Sequence, residues 1–533
     1  MLDRLLRPAR TLFAAAALAA LAALAVPTGA ALAEHGSDTF TIATRLTDSK
    51  FDPAFHFQEF DAVDILNIYE GLVAPVKGKP PTGLLASSWE ASPDGTVWTF
   101  KLRNDVKFHD GKTLTAKDVV YSMDRFLTLG KGYSSLFKGI LDVGNTKAID
   151  DSTVQFTLNK PFGPFIETMV QFYVVNSELL KANQQPGDFG ANGDYGVAYL
   201  QSHDAGSGPY RLDSFVPDRR RVLTAFADYR GGWKDDQFKR IVIEIVGETA
   251  TARSLLTQGD VDFVDQWQPL DFYKNLKGQA GVHVDEDPDN KLYVVQMNTQ
   301  KPPFDDVNFR KAVLYAFDYK TANDIILGGA IKANGPVPSA MPGHDGSIAG
   351  YTQDIAKAKE FLAKSKYKPG DYTLNWDYIK AGAHEEMALL LQANLKAVGI
   401  DMKITAEQWP TLSKNASKPD TAPHFFPVYN TAKYPTPDAY TFAMYHPVNH
   451  GQWQASAHYS NPSVSKLLEE ARATPDAEMR NKKYADATKM IVDDAASLWV
   501  GYTIHRVALS DRVKNYENKG LMAYDLNIYN LRH

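Results

Sequence analysis

Hydrophobic and polar positions alternate along this chain with two distinct periods. Trp98, Phe100 and Leu102 alternate with Val97, Thr99 and Lys101, the period of two that marks a half-buried strand. Arg103-Asn104-Asp105 predicts a turn, and residues 106–109 are expected to return as a partner strand closed by Asp110-Gly111. Thr115 then opens a helix. Asp118 stands three residues on as an acidic relative of the capping box, and Ala116, Val119, Val120 and Met123 follow at i, i+3, i+4 and i+7.

The same rhythms return later. Tyr372, Leu374, Trp376 and Tyr378 alternate; Met387, Leu390, Leu391, Leu395 and Val398 form a helical stripe that stops at Gly399; Ile400, Met402 and Ile404 alternate again. Strand, helix and strand in so short a span predict a βαβ unit with a parallel pair and a right-handed crossover. Two more helices are expected over residues 306–318, on Phe309, Ala312, Val313 and Ala316, and over residues 476–495. Mixed α/β and α+β patterns fit several lobes better than one sheet. Pro- and Gly-rich stretches at 77–83, 185–196, 285–290 and 335–350 are the candidate boundaries.

The N-terminus reads as an address. Arg4, Arg7 and Arg10 precede an apolar run over residues 12–26, then Pro27-Thr28-Gly29 and the small-x-small triplet Ala31-Leu32-Ala33. This is the layout of a secretory signal peptide, with cleavage expected after Ala33. The run is shorter than the ~20 residues that span a bilayer, and no later stretch approaches 18 apolar residues. Of the 533 residues, 500 then remain, enough at about 150 per domain for roughly three domains. Losing three arginines and one aspartate takes the formal charge from −6 to −8, so a basic footprint for nucleic acid is absent. With no cysteine, disulfides, thiolate metal sites, cysteine nucleophiles and a lipid anchor on Cys are all excluded.

Candidate chemistry is sparse. Gly111-Lys112-Thr113 resembles the tail of a phosphate loop, but Val106 stands where that motif needs glycine. Gly206-Ser207-Gly208 lacks the spacing of a nucleophile elbow, and Pro209 follows it. His384-Glu385-Glu386 lacks the second histidine of a zinc-protease helix. His446 and His450, with His424 and His458 nearby, would share a helix face and could hold a metal, yet Pro447 and the surrounding Gly, Asn and Pro favour a loop. Aromatic side chains crowd loop-like segments instead: Phe51, Phe55, Phe57 and Phe60; Trp267 beside Gln266, Gln268 and Pro269; Phe425, Phe426, Tyr429, Tyr434, Tyr440 and Tyr445. Such clusters suit an apolar cleft around a small ligand.

One run of motifs is specific. Ser88-Trp89-Glu90, Pro93-Asp94-Gly95, Trp98-Thr99-Phe100-Lys101-Leu102-Arg103, Phe108-His109-Asp110-Gly111 and Asp118-Val119-Val120-Tyr121-Ser122 together resemble the extracytoplasmic solute-binding proteins, family 5, of peptide, oligopeptide and nickel ABC importers. Tyr69-Glu70-Gly71-Leu72, Gly206-Ser207-Gly208-Pro209-Tyr210, Gly259-Asp260-Val261-Asp262, Met297-Asn298 and Phe309-Arg310-Lys311-Ala312 extend the likeness through the mature chain. The resemblance implies an α/β fold of two lobes closing through a two-stranded hinge, with a further domain inserted near the N-terminus. One lobe would combine residues 34–72, 205–290 and 499–533; the insertion would span 73–204 and the second lobe 291–498. It implies a periplasmic monomer, not an enzyme, that carries no cofactor or resident metal, binds a peptide or a peptide-like or opine-like solute, and meets an inner-membrane ABC permease.

The resemblance also places ligand-lining positions at Phe57, Gln58 and Glu59, at Tyr133, at Gln266 and Trp267, and at Tyr429, Asn430, Thr431 and Lys433. In relatives an Asp shortly before a Pro-Asp pair grips the peptide α-amino group. Counted back from Pro437-Asp438, that position is Lys433, and no Asp or Glu lies between Thr421 and Pro437. A cation there repels an ammonium, so a ligand with an anionic or polyhydroxylated end is expected. Two other classes remain open: an exported hydrolase of peptides or glycans, and a nickel or metal-chelate receptor built on the histidines.

Overall fold

The computed structural model describes residues 36–45, 51–56, 59–521 and 526–533, with residues 59–61 described by their backbone alone. The expected leader and its cleavage site lie outside the described residues, as do Phe57 and Gln58. Among the described residues no helix is long and apolar enough to cross a membrane.

An 11-stranded mixed sheet runs through the molecule. At one end Thr39–Thr44 pairs in parallel with Arg240–Ile245 and with Phe263–Val264, and the antiparallel strands Tyr210–Val216 and Arg220–Ala225 extend that edge. At the other end Thr373–Ile379 and Asp401–Glu407 form the parallel pair that periodicity predicts, joined by the helix His384–Lys396, and Phe425–Thr431 connects them to the centre. The centre is two long antiparallel strands, Val282–Met297 and Ser497–Ser510. Their ladder breaks between Pro288 and Leu292. Proline brings no N–H to a ladder, so a sequence stretch that reads as a boundary lies inside a strand and loosens it.

A separate four-stranded antiparallel sheet, Ala86–Ala91, Val97–Leu102, Thr153–Thr157 and Thr146–Asp150, carries the helix Ala116–Leu129. Trp98, Phe100 and Leu102 are buried as their alternation requires. Thr115 is the N-cap, and Asp118 closes the box by accepting the Thr115 N–H at 2.9 Å. The other expected helices form as Val307–Ala316, capped by Asp306, and Ala477–Asp493, capped by Asp476. Residues 106–109 do not return as a strand. They make one isolated bridge, Lys107 to Thr113, while Val97–Leu102 pairs with Ala86–Ala91 and Thr153–Thr157. Residues 77–83, read as a boundary, include the strand Lys79–Gly83, paired with Val73–Val76.

This smaller sheet is tied to the first end of the large one. Arg125, on the helix Ala116–Leu129, makes two bonds to Asp52 at 2.7 and 2.5 Å and a third to the Tyr195 carbonyl at 2.8 Å, all buried. Gly206 and Gly208, whose spacing does not fit a nucleophile elbow, serve close packing: a Cβ on either would collide with the Ile68 backbone. Removing one partner of a buried ion pair leaves the other charge desolvated and unmatched. Asp52→Ala is therefore expected to cost about 3–5 kcal/mol, read as a lower midpoint in urea denaturation followed by near-UV circular dichroism. A loss below about 1 kcal/mol would mean that the pair contributes no more than an exposed one.

Candidate functional site

The break in the central ladder sets the position of the site. Lys291, inside the break, pairs with Thr431 on the neighbouring strand, and its Nζ lies 5.2 Å from the centre of the Trp267 ring. A cation held over an indole face is attracted by the ring quadrupole. Trp267 is 45% exposed, an unusual state for so large a ring outside a binding surface. Its neighbour Gln266 accepts from His505 Nδ1 at 2.9 Å, and the other ring nitrogen lies 2.9 Å from the Tyr516 hydroxyl. An amide oxygen only accepts, so Nδ1 carries the proton and Nε2 accepts from Tyr516.

Thr431 leads two residues on to Lys433. Its carbonyl accepts from Gln171 Nε2 at 2.6 Å, joining the second end of the sheet to the four-stranded body. Burial lowers the Lys433 ammonium to about 8, because removal from water penalises the charged form. Gln171 lies two residues from Tyr173, whose ring, like that of Tyr133, packs edge-on to His56, at 6.3 and 5.2 Å. His56 is buried, its Nδ1 has no partner, and desolvation lowers it to about 3, so it is neutral. Contacts link Trp267 to Lys291 and Lys291 to Thr431, and Lys433 to Gln171, while Tyr173, His56 and Tyr133 form a ring cluster; short steps along the chain join these three groups into an arc.

The remaining expected positions are placed differently. Tyr429 packs edge-on to Tyr293 at 4.8 Å, and its hydroxyl accepts the Ala383 N–H at 3.3 Å. Asn430, on the other face of the same strand, is buried with Nδ2 directed to the Met444 sulfur at 3.2 Å. Glu59 begins the helix Glu59–Ile68, and its side chain is outside the description. The carboxylate nearest in sequence to Lys433, Asp438, is fully buried among Tyr434, Tyr484 and Arg472 at 2.7, 2.7 and 3.3 Å. It is committed to packing and does not replace an acid at position 433.

The histidines are engaged elsewhere. His446 caps a short turn through Nδ1 and reaches Glu469 through Nε2 at 3.1 Å. His450, His458 and His424 each place Nε2 on a backbone carbonyl, of Tyr459, Ala416 and Pro302 respectively. His384 is buried, with Nδ1 2.9 Å from the Tyr293 hydroxyl, and desolvation lowers it to about 4. Among the described residues no group of three or more His, Cys, Asp or Glu could hold a metal ion.

Sequence reasoning missed His56, Gln171, Lys291 and His505. Only His56 had a signal, its place directly before the aromatic loop. The others matter through contacts between distant segments, which no local pattern displays.

A model of the bacterial extracellular solute-binding proteins, family 5, matches residues 80–452. The chain is 31% identical over 458 residues to the probable D,D-dipeptide-binding periplasmic protein of Escherichia coli (strain K12), covering 84% of each chain. It is 28% identical over 572 residues to the periplasmic oligopeptide-binding protein of the same organism, covering 98% of this chain and 99% of the other. Among solved structures, the periplasmic binding protein of Helicobacter pylori in complex with the peptide STSA superimposes with a TM-score of 0.75 at 24% identity, over 93% of this chain and 98% of that one. The fold is thus the two-lobe α/β architecture of periplasmic binding proteins, and the chain belongs to the bacterial extracellular solute-binding proteins, family 5.

Proposed function

We propose that this chain is the periplasmic receptor of an ABC importer, capturing a peptide or a peptide-like or opine-like small solute between two closing lobes and delivering it to an inner-membrane permease. The observation that carries this reading is the near full-length match to relatives named as dipeptide- and oligopeptide-binding proteins, together with the arc of side chains that bridges the hinge. We assign residues 34–72, 205–290 and 499–533 to one lobe, 73–204 to the insertion and 291–498 to the other lobe, with the leader removed after Ala33. The receptor acts as a monomer, and closure presents the form that a permease distinguishes from the open one. Its relatives are solute-binding proteins, and the side chains of the arc are suited to holding a ligand and not to attacking one.

Ligand chemistry follows from Lys433. Where relatives place an α-amine-binding Asp, this chain offers a half-buried cation, and its nearest acid, Asp438, is locked among two tyrosines and an arginine. The favoured ligand therefore presents an anionic or polyhydroxylated group at that end. Charge-assisted hydrogen bonds contribute about 1.5–3 kcal/mol. Lys433→Asp is accordingly expected to bind trialanine at least about tenfold more tightly than the unchanged protein, measured by isothermal titration calorimetry. Tight trialanine binding by the unchanged protein, unaffected by the substitution, would contradict the assignment.

The pH dependence has a definite sign. Lys433 loses its charge as pH rises through about 8, so affinity for an anionic ligand should fall between pH 7 and 9. In Lys433→Met the same titration should be weaker and flat. An affinity that rises over this range in the unchanged protein would exclude an ammonium-to-anion contact.

A further inference from the structure

The four-stranded body meets the second lobe at a contact that shares only the Gln171–Lys433 bond with the ligand arc. Residues 162–171 belong to the inserted body: the Phe165 ring packs on Trp98 and Phe156 at 5.3 and 5.6 Å. Opposite them lie the end of the helix Pro462–Arg472, the turn at 473–476 and the start of the helix Ala477–Asp493. The Gly163 N–H donates to the Arg472 carbonyl at 2.6 Å, and the Arg472 guanidinium is sandwiched between the rings of Phe162 and Phe442, at 4.7 and 3.8 Å. Glu167 and Arg480 form a buried ion pair, and Arg480 also donates to the Pro475 carbonyl at 2.8 Å. Together with the bond from Gln171 to the Lys433 carbonyl, this closes the far side of the cleft.

We propose that residues 162–171 and 472–480 form a latch that holds the inserted body, tied to the first lobe through Arg125 and Asp52, against the second lobe without ligand, and that Gly163 is the residue whose missing side chain lets them meet. A Cβ at Gly163 would lie well inside contact distance of the Thr474 carbonyl and 3.0 Å from Arg480 Nη1. Its three nearest atoms all belong to the second lobe, so the first obstruction a side chain there meets is across the contact. Gly163 is not in the left-handed backbone region, so other residues fit its conformation. The latch is also imperfect: Glu167 Oε2, Gln171 Oε1 and Arg480 Nε are buried without hydrogen-bond partners. Buried polar groups left unmatched weaken an interface, which keeps this one reversible. The closed population that it maintains sets the fraction of receptor competent to hold ligand, and apparent affinity scales with that fraction. This inference rests on the two-lobe division proposed above and does not depend on what the ligand is.

The test is small-angle X-ray scattering on the full mature chain, freed of ligand by unfolding, dialysis and refolding. The unchanged protein is expected to scatter as the compact form, and Gly163→Val to show a larger radius of gyration with an unaltered circular dichroism spectrum. Glu167→Gln, which adds no bulk, should shift the radius in the same direction. Equal radii for all three proteins, or an unchanged protein that is already extended, would overturn the latch while leaving the transport reading intact. If Gly163→Val fails to refold, Glu167→Gln alone decides between these outcomes.

Discussion

The rest of the structure depends on the ladder between Val282–Met297 and Ser497–Ser510. It is the one place in the large sheet where strands of both ends share backbone hydrogen bonds, through Phe263–Val264 on one side and Phe425–Thr431 on the other. Pro288 and the register shift behind it give that ladder a soft point. Pairing is regular on each side of the Pro288–Leu292 interruption, which makes that stretch the candidate hinge of the proposed closure. Hinge motion of this kind needs few residues to absorb large backbone changes.

The site inherits its character from that position. Lys291 pairs with Thr431, two residues before Lys433, and meets the Trp267 ring, while Gln266 is held by His505. Dehydration governs the electrostatics: it keeps His56 neutral and draws the Lys433 ammonium toward neutrality. A partly desolvated cation attracts an anion more strongly than an exposed lysine would, since an incoming negative charge restores what burial removed. The same logic explains Asp438, a buried carboxylate that accepts from two tyrosine hydroxyls and pairs with Arg472, and is therefore unavailable to a ligand.

Local features of this fold were legible in the sequence. The capped helix at Thr115, the buried alternation of Trp98, Phe100 and Leu102, and the βαβ unit around Met387 and Leu391 all follow from spacings shorter than one element. Residues 106–109 do not join the sheet because both edges of Val97–Leu102 are taken, by Ala86–Ala91 and by Thr153–Thr157, the latter some fifty residues away. Strand pairing is a tertiary choice, and periodicity alone does not name the partner. The site shows the same division. Trp267 and Lys433 could be picked out through resemblance to a family, whereas Gln171 and His505 acquire a role only when the chain folds them against Lys433 and Gln266.

The central claim is that the cleft holds a small peptide-like solute whose end at Lys433 is not a free ammonium. Mass spectrometry of the small molecules released by denaturing protein purified from its native periplasm tests this most directly. The account predicts a stoichiometric compound carrying an anionic or polyhydroxylated end. Recovery of ordinary peptides with free α-amino groups, in stoichiometric amount, would contradict it.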